Sequence, residues 1–87
     1  MEAKLDISII SPVFNERENL RTFVETVVEV MVSSNMTWEF IIVDDGSDDG
    51  SSEIVKDLAN KENIHSILLS KNYGQTTAIQ AGFDCAL

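Results

Sequence analysis

Residues 39–53 read EFIIVDDGSDDGSSE. The apolar run Phe40-Ile41-Ile42-Val43 is followed at once by Asp44 and Asp45, and then by Asp48 and Asp49. A short, continuous apolar run is what a strand covered by helices on both faces looks like, so Trp38 to Val43 reads as a strand of a parallel sheet. Carboxylates crowded together repel, so each of the four needs a reason to be there. Asp48 and Asp49 fall where the next helix begins. There a carboxylate meets free backbone N–H groups and the positive end of the helix dipole, and both are expected to cap. Asp44 and Asp45 stand at the strand end. They either face solvent in a turn, or accept hydrogen bonds from a base or ribose, or help hold a metal.

The pattern extends outward from this strand. LDISIIS, residues 5–11, reads as an earlier strand that Pro12 ends by removing a ladder donor. Asn15 and Glu18 have the spacing of a capping box. Leu20, Phe23, Val24, Val27, Val28 and Met31 then recur at helical spacing over about four turns, closed by Ser33-Ser34-Asn35. So many valines favour helix weakly, and tertiary packing must hold this element. Ile54, Val55, Leu58 and Ala59 mark a second helix, and IHSILLS at 64–70 a third strand. After Lys71-Asn72-Tyr73-Gly74, Thr76 to Leu87 reads as a third helix with Ala78, Ile79, Gly82, Phe83 and Ala86 on one side. Gly82 is expected to permit close helix–sheet packing, and Trp38 and Cys85 to lie in the core. His65 falls within or at the start of the third strand and is assigned no role.

The order βαβαβα predicts an α/β fold: a Rossmann-like three-layer sandwich with a parallel sheet. There are no repeats, low-complexity segments or linkers. Three strands are few for this architecture, and the last helix should deliver a fourth. The expectation is therefore that residues 1–87 are the front part of a longer protein. An open sheet edge in such a piece predicts self-association.

The composition is that of a globular protein, and no apolar run approaches the ~20 residues of a membrane helix. The N-terminus is too short and too acidic for a signal peptide. Cys85 is the single cysteine, which rules out an internal disulfide and fits a reducing, cytoplasmic setting. A net charge of −9 with six dispersed basic residues makes no nucleic-acid-binding patch. Such a chain binds a phosphorylated ligand through backbone N–H groups or through a divalent cation.

Ligands of open α/β sheets sit beyond the C-terminal strand ends. Three loops converge there: residues 11–16, 44–50 and 70–75. Other motif readings fail on spacing. A calcium loop starting at Asp45 would place Lys56 where a bidentate Glu is needed. No GxGxxG follows the first strand, and no GxxxxGK[ST] occurs. A receiver-type phosphoacceptor domain would carry its acidic pair after the first strand, where Ser11 and Pro12 stand.

SPVFNERENL followed by IIVDDGSDDG resembles the N-terminal half of inverting glycosyltransferases of family 2, of the GT-A fold. LLSKNYGQTTAIQAGFDCA is similar to the branch that transfers sugars to polyprenyl phosphates, such as dolichyl-phosphate mannosyltransferases and bactoprenol glucosyltransferases. The similarity runs from about Ile7 to Leu87.

The resemblance implies nucleotide-sugar binding by Pro12, Phe14 and Glu16, and by Val43 and Asp45, with Asp44 adjacent. Physically, Phe14 offers a flat apolar surface, and Glu16 and Asp45 accept from base or ribose donors. Phe14 also fits a core or lid position, and Glu16 a first-turn charge. Asn72 and Gly74 either present N–H groups to phosphate or simply open the third helix, and Lys71 either meets a phosphate or is a solvated charge.

The family's D-x-D motif, its catalytic base region and its acceptor site lie beyond Leu87, so no catalytic residue and no metal ligand is assigned here. The implied parent enzyme transfers a hexose from a UDP- or GDP-sugar, with Mg²⁺ or Mn²⁺ held mainly outside these residues, to polyprenyl phosphate with inversion. It is expected on the cytoplasmic face of a membrane, while the 87 residues alone are expected to be inactive. The alternative is a non-catalytic nucleotide-binding or scaffold domain of the same fold. A D-x-D shortly after Leu87 separates the two.

Overall fold

A computed structural model describes residues 5–60 and 63–86. Strand β1 (Ile7–Val13) leads to helix α1 (Leu20–Ser33), β2 (Trp38–Asp44), α2 (Ser51–Leu58), β3 (Ile64–Leu68) and α3 (Gln75–Cys85). The strands form one parallel sheet in the order β1-β2-β3. The expected α/β architecture is therefore present, with the most buried strand in the middle.

All seven residues of β2 are buried. Side chains of a strand alternate between faces. Trp38, Phe40 and Ile42 pack with Leu20, Val24 and Met31 of α1 and Val55 of α2. Ile41 and Val43 face the other way, onto Ala78 of α3. The layers are thus α1 and α2, then the sheet, then α3. Burying side chains of this size contributes roughly 1.5–3 kcal/mol each, which is what holds the valine-rich α1 in place.

The chain reverses after β3, and α3 returns over β1 and β2 on the opposite face. Gly82 makes this possible. A Cβ there would lie 2.3 Å from Ile10 Cγ2, closer than any side chain can approach. The loops after β1 and after β3 consequently leave toward opposite faces. A crevice opens between such loops at the strand ends.

Several sequence expectations need correction. Pro12 does not end β1, because it pairs with Val43 inside the ladder. Ile7 N–H donates to Thr37 O, and Val13 O accepts from Asp45 N–H. Alternation then turns the nitrogen of Pro12 away from β2, toward the side of β1 on which no strand pairs among the described residues. The capping box does not form, since α1 starts only at Leu20, and Asn19 occupies the cap position without a side-chain bond. Asn15 adopts φ 52° and bonds the acidic loop instead. Strand β3 ends at Leu68. On α3 only Ala78 and Gly82 are buried. Ile79 and Phe83, about 100° further round the helix, are exposed. Cys85 is exposed too, whereas Trp38 is core as expected. The expected last residue of α3, Leu87, lies outside the described residues.

Candidate functional site

The crevice encloses about 360 Å³ at the C-terminal end of the sheet. One wall is the end of β1 and its loop: Pro12, Val13, Phe14 and Glu16. The other is Asp45 with Asn72, Gly74 and Gln75 at the start of α3. Phe14 is 43% exposed, so its ring is open to a ligand. A second depression of about 290 Å³ continues past Glu16, over Leu20 and Phe23.

Each of the four aspartates now has a place. Asp45 is buried, and its carboxylate points to the β3–α3 loop. Its Oδ1 accepts from Tyr73 N–H (2.8 Å), and its Oδ2 from Gly74 N–H (2.9 Å) and Asn72 Nδ2 (3.1 Å). The same amide nitrogen donates to Asp45 O at 3.2 Å. Asp44 is buried on the opposite face. Its Oδ2 accepts from Ser52 Oγ of α2 (2.6 Å) and from Ser47 N–H (3.3 Å). Its Oδ1 is enclosed and lacks a hydrogen-bond partner among the described residues. Asp49 Oδ1 accepts from the N–H and hydroxyl of Ser51, and its Oδ2 from Arg17 N–H. The Ser51 hydroxyl is the main reason the Asp49 carboxyl lies below the usual carboxylate range. Desolvation opposes it, and the backbone N–H groups of Ser51 and Arg17 add to the lowering. Asp48 is exposed, and its N–H, rather than its carboxylate, makes the bond, to Asn15 Oδ1. Of the two expected caps, only Asp49 serves the start of α2.

The acidic loop is therefore held from both sides. Asn15 N–H donates to Ser47 Oγ at 2.9 Å, and Arg17 reaches Asp49 through N–H and Nη1. On the other flank Gly46, at φ +71°, presses against the β3–α3 loop. A Cβ there would fall 2.2 Å from Lys71 C and 2.4 Å from Asn72 N. Only glycine permits this contact.

The structure thus brings together Pro12, Phe14, Glu16 and Asp45. It places Val43 and Asp44 elsewhere: Val43 is fully enclosed against Ala78, and Asp44 lies under α2. The N–H groups of Tyr73 and Gly74 are committed to Asp45, so they do not face an incoming phosphate. Lys71 lies over the Tyr73 ring, 5.2 Å from its centroid. Three contributors were not assigned to the site from the sequence: Val13, Gln75, and Gly46, whose signal is its place after paired aspartates at a strand end. The divalent cation implied by the resemblance finds no fitting set here. Among the described residues no three His, Cys, Asp or Glu side chains converge, and Asp45 already faces N–H donors.

Residues 8–87 match the family model described as glycosyl transferase family 2. Among curated proteins, the chain is 39% identical over 84 residues to an undecaprenyl-phosphate 4-deoxy-4-formamido-L-arabinose transferase of Pectobacterium atrosepticum, covering 94% of this chain and 26% of that protein. The Proteus mirabilis protein of the same name is 40% identical over 82 residues, covering 92% of this chain and 25% of that one. The chain spans about a quarter of the length of these relatives. Among the described residues no helix is long and apolar enough to cross a membrane.

Proposed function

The chain belongs to glycosyl transferase family 2, and from that membership we propose that its crevice recognises the nucleoside of a UDP- or GDP-sugar. In this reading residues 1–87 are the N-terminal, nucleotide-binding portion of an inverting transferase whose acceptor is polyprenyl phosphate, working at the cytoplasmic face of a membrane. The named relatives support the acceptor class, since both are undecaprenyl-phosphate transferases.

The observation that carries the reading is the convergence of Phe14, Glu16 and Asp45 on one crevice of about 360 Å³. That volume lies within the roughly 300–1,000 Å³ typical of small-molecule sites. A nucleoside presents a flat apolar face and N–H or O–H donors at its edges. Phe14 supplies the matching apolar surface, and the two carboxylates are acceptors only. Pro12 shapes the wall beside Phe14, while Val43 and Asp44 brace the strand end from behind. Two carboxylates repel a diphosphate, so the nucleoside occupies the crevice and the diphosphate points out of it. In the transfer, an acceptor phosphate oxygen forms a bond to the anomeric carbon as the bond from that carbon to the nucleoside diphosphate breaks, inverting the centre. The part of these residues is to hold and orient the departing nucleotide.

The test is a titration of ¹⁵N-labelled protein with UDP and with GDP, followed residue by residue by NMR. Saturable shifts at Phe14, Glu16, Asp45 and residues 72–75 are expected with one of them. No response to either nucleotide at millimolar concentration, or shifts confined to other surfaces, would overturn the proposal.

A further inference from the structure

We propose that Asn72 is a positioning residue for nucleotide recognition: it fixes the Asp45 carboxylate so that one lone pair, on Oδ1, faces the crevice. The inference rests on the nucleoside reading of that crevice.

A carboxylate has about four acceptor sites. In Asp45, Oδ2 takes two donors, Gly74 N–H and Asn72 Nδ2, and Oδ1 takes one, Tyr73 N–H. One site remains, on Oδ1, in a residue that is 3% exposed and lines the crevice. Two of the three donors are backbone groups, which follow the loop wherever it goes. Asn72 is the side-chain donor, and it makes two bonds from one nitrogen, to Oδ2 and to the backbone O of the same aspartate. That bridge ties the carboxylate to the end of its own strand and so sets the angle at which Oδ1 is presented. Gly46 enforces the arrangement from behind, because its close approach to Lys71 and Asn72 leaves the loop no room to shift inward. Hydrogen bonds to a charged acceptor are stronger than neutral ones, so the bridge resists rotation of the carboxylate. Without it Oδ2 regains an open acceptor site, the carboxylate turns, and a fixed single acceptor becomes a mobile double one.

The measurement is the affinity of the whole chain for UDP or GDP, whichever the wild-type protein binds, with folding verified by the amide spectrum. Asn72→Ala is expected to weaken binding about tenfold, the scale of one hydrogen bond to a charged group. Asn72→Asp, isosteric but anionic beside Oδ2, is expected to weaken it further. Asn72→Gln, long enough to reach both acceptors from an exposed loop, is expected to restore most of the affinity. In an Asp45→Asn background, Asn72→Ala is expected to add no further loss, because a residue acting through another is non-additive with it. Unchanged affinity in Asn72→Ala and Asn72→Asp would overturn the proposal, and so would a full, additive loss in the Asp45→Asn background. Failure of the wild-type protein to bind either nucleotide is a different result, and it removes the nucleoside reading itself.

Discussion

Strand β2 buries carboxylates at both ends and treats them differently. Near its start, Glu39 is 2% exposed and is met by side chains of the neighbouring strands: Ser8 Oγ donates to Oε2, and His65 Nε2 stands 3.6 Å from Oε1. Just past its far end, Asp45 is met mainly by backbone N–H groups of a loop. Side chains on adjacent strands move only with the sheet, so the Glu39 cluster is a fixed internal contact. A loop that wraps a carboxylate creates a wall, and a wall on one side of a strand end leaves a crevice on the other. The contrast separates a polar group that completes the sheet from one that builds a site.

Changing the wall is the most severe way to break this contrast. Gly46→Ala forces a side chain into backbone at φ +71° and drives Cβ into Lys71 and Asn72. Strain plus overpacking costs about 3 kcal/mol, which for a domain of this size lowers Tm by roughly 12–24 °C. Thermal unfolding followed by circular dichroism checks this, and a Tm within a few degrees of wild type would show that the loop is free to move away. Asp44→Asn is the next largest. It replaces a charged acceptor for Ser47 and Ser52 and puts an amide beside enclosed surroundings. A loss of about 2 kcal/mol in urea unfolding is expected, with the nucleotide affinity of the folded fraction unchanged. A change in affinity instead would move Asp44 from the brace to the binding surface. At the opposite end of β2, Glu39→Gln keeps the shape and an acceptor for Ser8. It is expected to cost about 1 kcal/mol and to leave the crevice resonances where they are.

The layers of the fold were legible because Phe40 to Val43 is apolar without alternation, the pattern of a short strand with helices on both faces. The crevice was legible in part, because Phe14, Glu16 and Asp45 follow strand ends. Three things escaped for physical reasons. Pro12 stays in the ladder because its nitrogen points away from β2, and that phase is not written in a single strand. Asn15 left its expected cap position for a tertiary bond to the acidic loop, and such bonds override local capping. The exposure of Ile79 and Phe83 follows from Gly82, whose closeness to Ile10 fixes which line of α3 meets the sheet. Apolar character alone left two adjacent lines of that helix equivalent.

The smallest expected effect concerns the third kind of carboxylate, one held at the surface. Asp49 is tied by the Ser51 hydroxyl and by the backbone N–H groups of Ser51 and Arg17, and its carboxyl is more acidic in the folded protein than in a free chain. A depressed folded value means that the unfolded chain takes up the proton first as pH falls. The stabilisation from Asp49 is therefore complete above the unfolded value near 3.8 and fades as pH drops through the lower folded one. Asp49→Asn should accordingly be less stable than wild type at pH 6, with the two melting curves converging toward pH 2.5. A gap between them that stays constant over that range would mean that Asp49 holds the loops through hydrogen bonds that do not depend on its charge.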